Sequence, residues 1–169
     1  MIRTLLLILA VVAVVYFLVP RPSSVVQPAA DVGGAVAAAT SDLGFTPLVP
    51  QGLPADWVPT EAGVRNAADG IKEFHIGYRV GTDVDDNAYA GVEQATSSTD
   101  HWLRVNDANG TKVGDVVIDG NTWEQLSKPA RAYTSLLLKR PNQVILITSK
   151  NGGLAQAEVL ARALHVPAS

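Results

Sequence analysis

An unbroken apolar run, Leu5 to Val19, opens the chain, and beyond it apolar and polar residues fall into short alternating segments. Arg21 to Pro28 is a proline-punctuated, extended spacer. An alanine-rich helix is expected from Ala29 to Asp42, with Gly44 as its stop, although Gly33 and Gly34 weaken it. Phe45 to Val49 reads as a short extended piece ended by Pro50. The period then becomes two, which predicts strands over Trp57–Arg65, Ile71–Val80 and Ala88–Ala95. Ser98 or Thr99 can cap a short helix, Asp100 to Asn106, that carries Trp102. Thr111–Ile118 and Asn121–Leu126 form a hairpin across Asp119-Gly120. Ala132–Lys139 and Gln143–Ser149 form a second across Arg140-Pro141-Asn142. A final helix follows Lys150-Asn151-Gly152-Gly153, with Leu154, Ala157, Leu160, Ala161 and Leu164 on one face.

Strands joined in hairpins imply an antiparallel sheet. The expected fold class is α+β: a single transmembrane helix, then a twisted antiparallel sheet packed by helices on one face. In the second strand Phe74, Ile76, Tyr78 and Val80 alternate with Glu73, His75, Gly77 and Arg79, so one side should be buried and the other wet. On that reading Glu73→Ala costs no more than about 0.5 kcal/mol. Tyr78→Ala costs on the order of 3 kcal/mol.

The apolar run decides where the domain sits. At about 1.5 Å per residue it covers roughly 22 Å of a ~30 Å hydrocarbon core. Ile2 and Thr4 extend it, Arg3 can snorkel, and Tyr16 suits the outer interface. A cleavable signal peptide is the competitor, but Pro20-Arg21-Pro22-Ser23-Ser24 offers no small-x-small site at the usual distance. The expected organisation is a retained anchor over 1–20, a linker over 21–28 and an extracytoplasmic domain over 29–169. The chain would then be a single-pass protein of the plasma membrane with its N-terminus in the cytoplasm.

Composition narrows the chemistry. The 169 residues include no cysteine, which excludes disulfides, thiolate metal sites and a cysteine nucleophile. All sixteen acidic residues lie beyond the anchor while Arg3 and Arg21 flank it, so the domain is more acidic than the whole chain's net −3. Such a domain is a poor partner for nucleic acid.

Several motifs come close to a known chemistry without meeting it. Asp83-Val84-Asp85-Asp86-Asn87 has the opening rhythm of a calcium loop, but Ala88 and Gln94 stand where an EF-hand needs Gly and Glu. His75, His101 and His165 lack zinc spacing. No metal or other cofactor is expected. Ser98, Thr99, Asp100 and His101 are better explained by helix capping than by a triad. Glu73, Glu93 and Glu124 could share a cleft, although pairing of Glu73 with Arg79 or another sheet residue is the simpler reading. Trp57, Trp102 and Trp123 are expected in the core unless two are exposed together. The candidate binding-surface residues are Glu73, His75 and Trp102.

A series of short motifs in fixed order carries a resemblance. They are Leu48-Val49-Pro50, Leu53-Pro54-Ala55-Asp56-Trp57, His75-Ile76-Gly77-Tyr78, Ala90-Gly91-Val92-Glu93-Gln94, Trp102-Leu103 and Gly120-Asn121-Thr122-Trp123. Together they resemble the actinobacterial family of membrane-anchored proteins known as domain of unknown function (DUF) 4245, over nearly the whole chain. Asp56 departs from the glycine expected before the Trp. The resemblance implies a topology and no activity.

The expected function is therefore a non-enzymatic binding or scaffolding module of the cell envelope, with an envelope protein as possible partner. The alternative is a carrier or sensor of an apolar ligand held between sheet and helices, in a cavity lined by Phe74, Tyr78, Leu136 and Leu146. A hydrolase with an unrecognised site ranks third.

Overall fold

The computed structural model describes Val12, residues 29–81 and residues 88–167. The anchor prediction over Leu5–Val19, Val12 apart, and the near-calcium loop at 83–87 lie outside them. Among the described residues no helix is long and apolar enough to cross a membrane.

Helix α1 spans Val32–Leu43; Asp31 caps its N-terminus by accepting from the Gly34 amide, and Gly44 ends it in the left-handed region. The strands follow as β1 (Val49–Pro50), β2 (Trp57–Asn66), β3 (Lys72–Val80) and β4 (Ala88–Ala95). Helix α2 (Asp100–Val105) comes next, capped by Thr99. Then come β5 (Thr111–Ile118), β6 (Asn121–Lys128), β7 (Tyr133–Arg140) and β8 (Gln143–Lys150). Helix α3 (Gly153–Ala163) and β9 (Leu164–His165) complete the order.

Seven strands form one antiparallel sheet in the order β2-β3-β4-β8-β7-β6-β5. It is two meanders laid side by side, joined where β4 pairs with β8. Asp119 and Gly120 both take positive φ at the β5–β6 turn, the conformation that a two-residue hairpin of this hand requires. Each edge strand carries a register shift, between Pro59 and Glu61 in β2 and between Lys112 and Gly114 in β5. The short β1 pairs separately with β9.

Helices α1 and α3 cover one face. Val36 and Ala39 of α1 and Ala157 and Leu160 of α3 close over Phe74, Ile76, Val92, Leu136, Ile145 and Ile147. Trp57 meets Tyr78 edge-on, with ring centroids 6.0 Å apart.

The opposite face departs from the expectation of a wet surface. A second cluster sits there: Ile71, Ala95, Trp102, Ala108, Leu126, Leu137, Val144 and Leu146. Strand alternation does place Glu73 and His75 opposite Phe74 and Tyr78, but they are only 1% and 3% exposed. The sheet is covered on both sides because the capped helix α2 folds back over the second face and inserts Trp102, which is wholly buried. Alternation reports which way a side chain points, and what lies above it is a separate matter. Leu146 also belongs to this second layer, whereas Phe74, Tyr78 and Leu136 belong to the first. These four residues therefore do not line one cavity between sheet and helices.

Candidate functional site

The site grows from the register of the sheet. Pairing places Arg65 opposite Glu73, and His75 opposite Glu93. Gly77 lies between Glu61 on one side and Gly91 on the other, and Gly91 pairs onward with Thr148. Directly opposed residues share a face, so these side chains form one polar field beside the Trp102 cluster.

Glu73 anchors its inner end. The Arg65 Nε donates to one carboxylate oxygen at 2.5 Å. The Trp102 Nε1 donates to the other at 2.5 Å, as does Asn106 Nδ2 at 3.1 Å. Arg65 also donates to Asn106 Oδ1 at 3.2 Å, which closes the network. Glu73 thus pairs with Arg65; Arg79 instead donates to the Gly81 carbonyl at 3.0 Å. Burial works to lower the Arg65 pKa, but the hydrogen bond and charge of Glu73, with Glu93 and Glu61, outweigh it and raise it.

Beside this network lies a pocket of about 230 Å³ lined by Glu61, Arg65, His75, Tyr89, Glu93, Val105, Asn106, Asp107, Tyr133 and Thr148. The Gly77–Gly91 pair lies against several of these side chains. A methyl group on Gly91 would stand 2.7 Å from the Tyr89 hydroxyl and 3.2 Å from both Glu93 Oε1 and Thr148 Oγ1. One on Gly77 would meet the same hydroxyl at 3.0 Å and His75 Nε2 at 3.2 Å. The missing side chains are what let these polar groups converge.

His75 presents Nδ1 to Glu93 Oε1 at 3.1 Å and Nε2 to Glu61 Oε2 at 3.8 Å. Glu93 is buried, and its second oxygen, Oε2, has no hydrogen-bond partner. Such an oxygen is costly to leave unmet. Burial raises the Glu93 pKa, against the pull of its hydrogen bond to His75. Burial, and then the charge of Glu93, also raise that of Tyr89.

A raised carboxyl pKa makes the folded state the better proton binder. Stability from Glu93 is therefore full below its ordinary value of 4.5 and is lost as pH rises through the folded value. Facing Glu93 are Glu61 and Arg65 of β2, Glu73 and His75 of β3, and Tyr133 of β7. Melting temperature followed against pH should fall on the alkaline side of 4.5 in the native chain, and more shallowly in Glu93→Gln. Equal slopes in the two chains would show that Glu93 is not the group responsible.

The three sequence candidates separate. Glu73 and His75 belong to one buried network with Glu93. Trp102 holds Glu73 from within and is no surface residue. Glu124 lies elsewhere, on β6 beside a pocket with Lys139. Thr99 donates to Asp69 at 2.5 Å and His101 lies 3.0 Å from the same carboxyl, so that histidine is held at the surface by a carboxyl. These contacts hold the Asp69 pKa low, the Thr99 hydrogen bond most of all. Trp57 and Trp123 are buried, as expected of core residues. The sequence reading missed Arg65, Glu61, Tyr89, Asn106 and Thr148. Glu61 and Arg65 stand four residues apart in one strand, a same-face spacing that could have pointed to them. Among the described residues no group of three or more His, Asp or Glu is placed to hold a metal ion.

No curated protein and no solved structure matches the chain. The sequence profile of the family described as "Protein of unknown function (DUF4245)" matches residues 1–164. The pocket and its buried network therefore lie within the matched region, and the chain belongs to the DUF4245 family.

Proposed function

We propose that this is a single-pass protein of the cell envelope whose folded domain stands outside the cytoplasm and binds a small polar group without transforming it. One observation carries the binding reading: a buried carboxylate oxygen of Glu93, with no partner of its own, on a side chain that lines the pocket. Buried polar groups without partners persist where a ligand or a function makes use of them. His75 turns its ring nitrogens to Glu93 and Glu61, and neither is a hydroxyl or thiol that it could activate. The cavity expected for the rival reading, an apolar ligand between sheet and helices, is filled by Phe74, Ile76, Leu136, Ile145 and Leu160 at 0% exposure; that reading keeps only a pocket of about 480 Å³ beside α3, lined by Trp57, Val80, Ala155 and Val159 among others. The anchor rests on the apolar run Leu5–Val19.

Two measurements test this. A C-terminal reporter that works only in the cytoplasm should stay silent on the full chain, and activity there would overturn the topology. Native mass spectrometry of the full chain in detergent should show a bound small molecule that Gly91→Ala no longer retains. The same adduct at the same occupancy in both would remove the pocket from the function.

A further inference from the structure

We propose that the pocket recognises an organic ammonium group, seated between the Glu93 carboxylate and the rings of Tyr89 and Tyr133. This inference rests on the binding reading above and names its ligand class.

The starting point is an unmet acceptor. The cationic side chains near the pocket are already committed to other groups. Arg65 donates to Glu73 and Asn106 and comes no nearer than 4.0 Å to Glu93, at Oε1, and the Asn106 amide donates to Glu73. Lys128 and Arg131 are both spent on Asp107, at 3.1 and 2.8 Å. The acceptors are not used up. Glu93 Oε2 is unpartnered and buried, and Glu61 stands two-thirds exposed at the rim with only the 3.8 Å approach to His75. What the pocket leaves unmet is an acceptor: hydroxyls of Tyr89, Tyr133 and Thr148 line it, yet none reaches Glu93 Oε2. An anion would face two carboxylates.

A cation bearing N–H groups supplies what is missing. It would make a charge-assisted hydrogen bond to Glu93, the strong kind. Its charge would favour the ionised form of a carboxyl that burial alone disfavours. Tyr89 and Tyr133 line the same space, and aromatic rings attract ammonium groups. A bare metal ion fits less well, since no three ligating side chains are placed to hold one among the described residues.

Matched probes separate the charge from the shape: propylammonium, propan-1-ol and propionate, each added to the full chain in detergent micelles. Tyrosine ring signals in selectively labelled protein report the site. Propylammonium should shift Tyr89 saturably, and Glu93→Gln should weaken that binding about tenfold or more, the factor for one lost charge-assisted hydrogen bond. Glu93→Gln should fold, because it removes the buried charge and keeps the shape, so its melting temperature checks that the loss is local. If propionate or propan-1-ol shifts Tyr89 and propylammonium does not, the ammonium inference fails and the binding pocket stands. If none of the three moves a pocket signal, both fail. Propylammonium bound equally by the native chain and Glu93→Gln would also overturn the inference.

Discussion

Replacing Trp102 by alanine is expected to destabilise the domain by about 4 kcal/mol, the range for truncating a buried Trp. The side chain is wholly buried against Ile71, Ala95, Leu137 and Leu146. Truncation leaves a cavity in a layer in which Trp102 is the largest side chain. It also removes the N–H that meets Glu73 at 2.5 Å. Trp102→Phe separates the two contributions. It keeps most of the apolar contact and loses the hydrogen bond, so it should cost about 1.5–3 kcal/mol. Urea unfolding of the full chain in detergent measures both. A loss under 1 kcal/mol in Trp102→Ala would mean that the second layer is no core.

Glu73→Ala is expected to cost about 3 kcal/mol, several times what the alternation of β3 alone suggests. Three donors converge on this carboxylate: Arg65, Trp102 and Asn106. Arg65 is 39% exposed and can regain water, which moderates the loss. The Trp102 indole N–H is buried and cannot, so it is left unmet. Glu73→Gln keeps an acceptor for the indole and should cost less. Because Glu73 and Trp102 act on one contact, Glu73→Ala combined with Trp102→Phe should fall well short of additivity. A loss within about 0.5 kcal/mol for Glu73→Ala would restore the solvated face.

That contrast shows what could be read in advance. The strands were legible because period two, Asp-Gly and Pro-Asn turns, and a capped helix are local signals. β4 and β5 run over the expected residues, Ala88–Ala95 and Thr111–Ile118. The coverage of the second face was not legible. Trp102 and Glu73 are 29 residues apart, and nothing near either announces their meeting. The pocket was half legible. Glu73, His75 and Glu93 stood out as ionisable residues in strands. Their convergence depends on the β2–β3 and β3–β4 registers, and on two glycines whose use is to be absent as side chains. The β1–β9 pairing spans two residues on each strand, too few to leave a periodic trace.

The register shifts have a consequence for encounters between copies of the chain. They fall on β2 and β5, the two strands with an open side. Pro59 sits at the first shift and has no N–H to offer an incoming strand. At the second, Lys112 holds Asp115 at 2.7 Å beside the exposed Val113 and Val117, placing charge on what would otherwise be a sticky ribbon. Neither margin therefore offers an unbroken ladder for strand addition. Copies that meet edge to edge are kept from fusing into a continuous sheet.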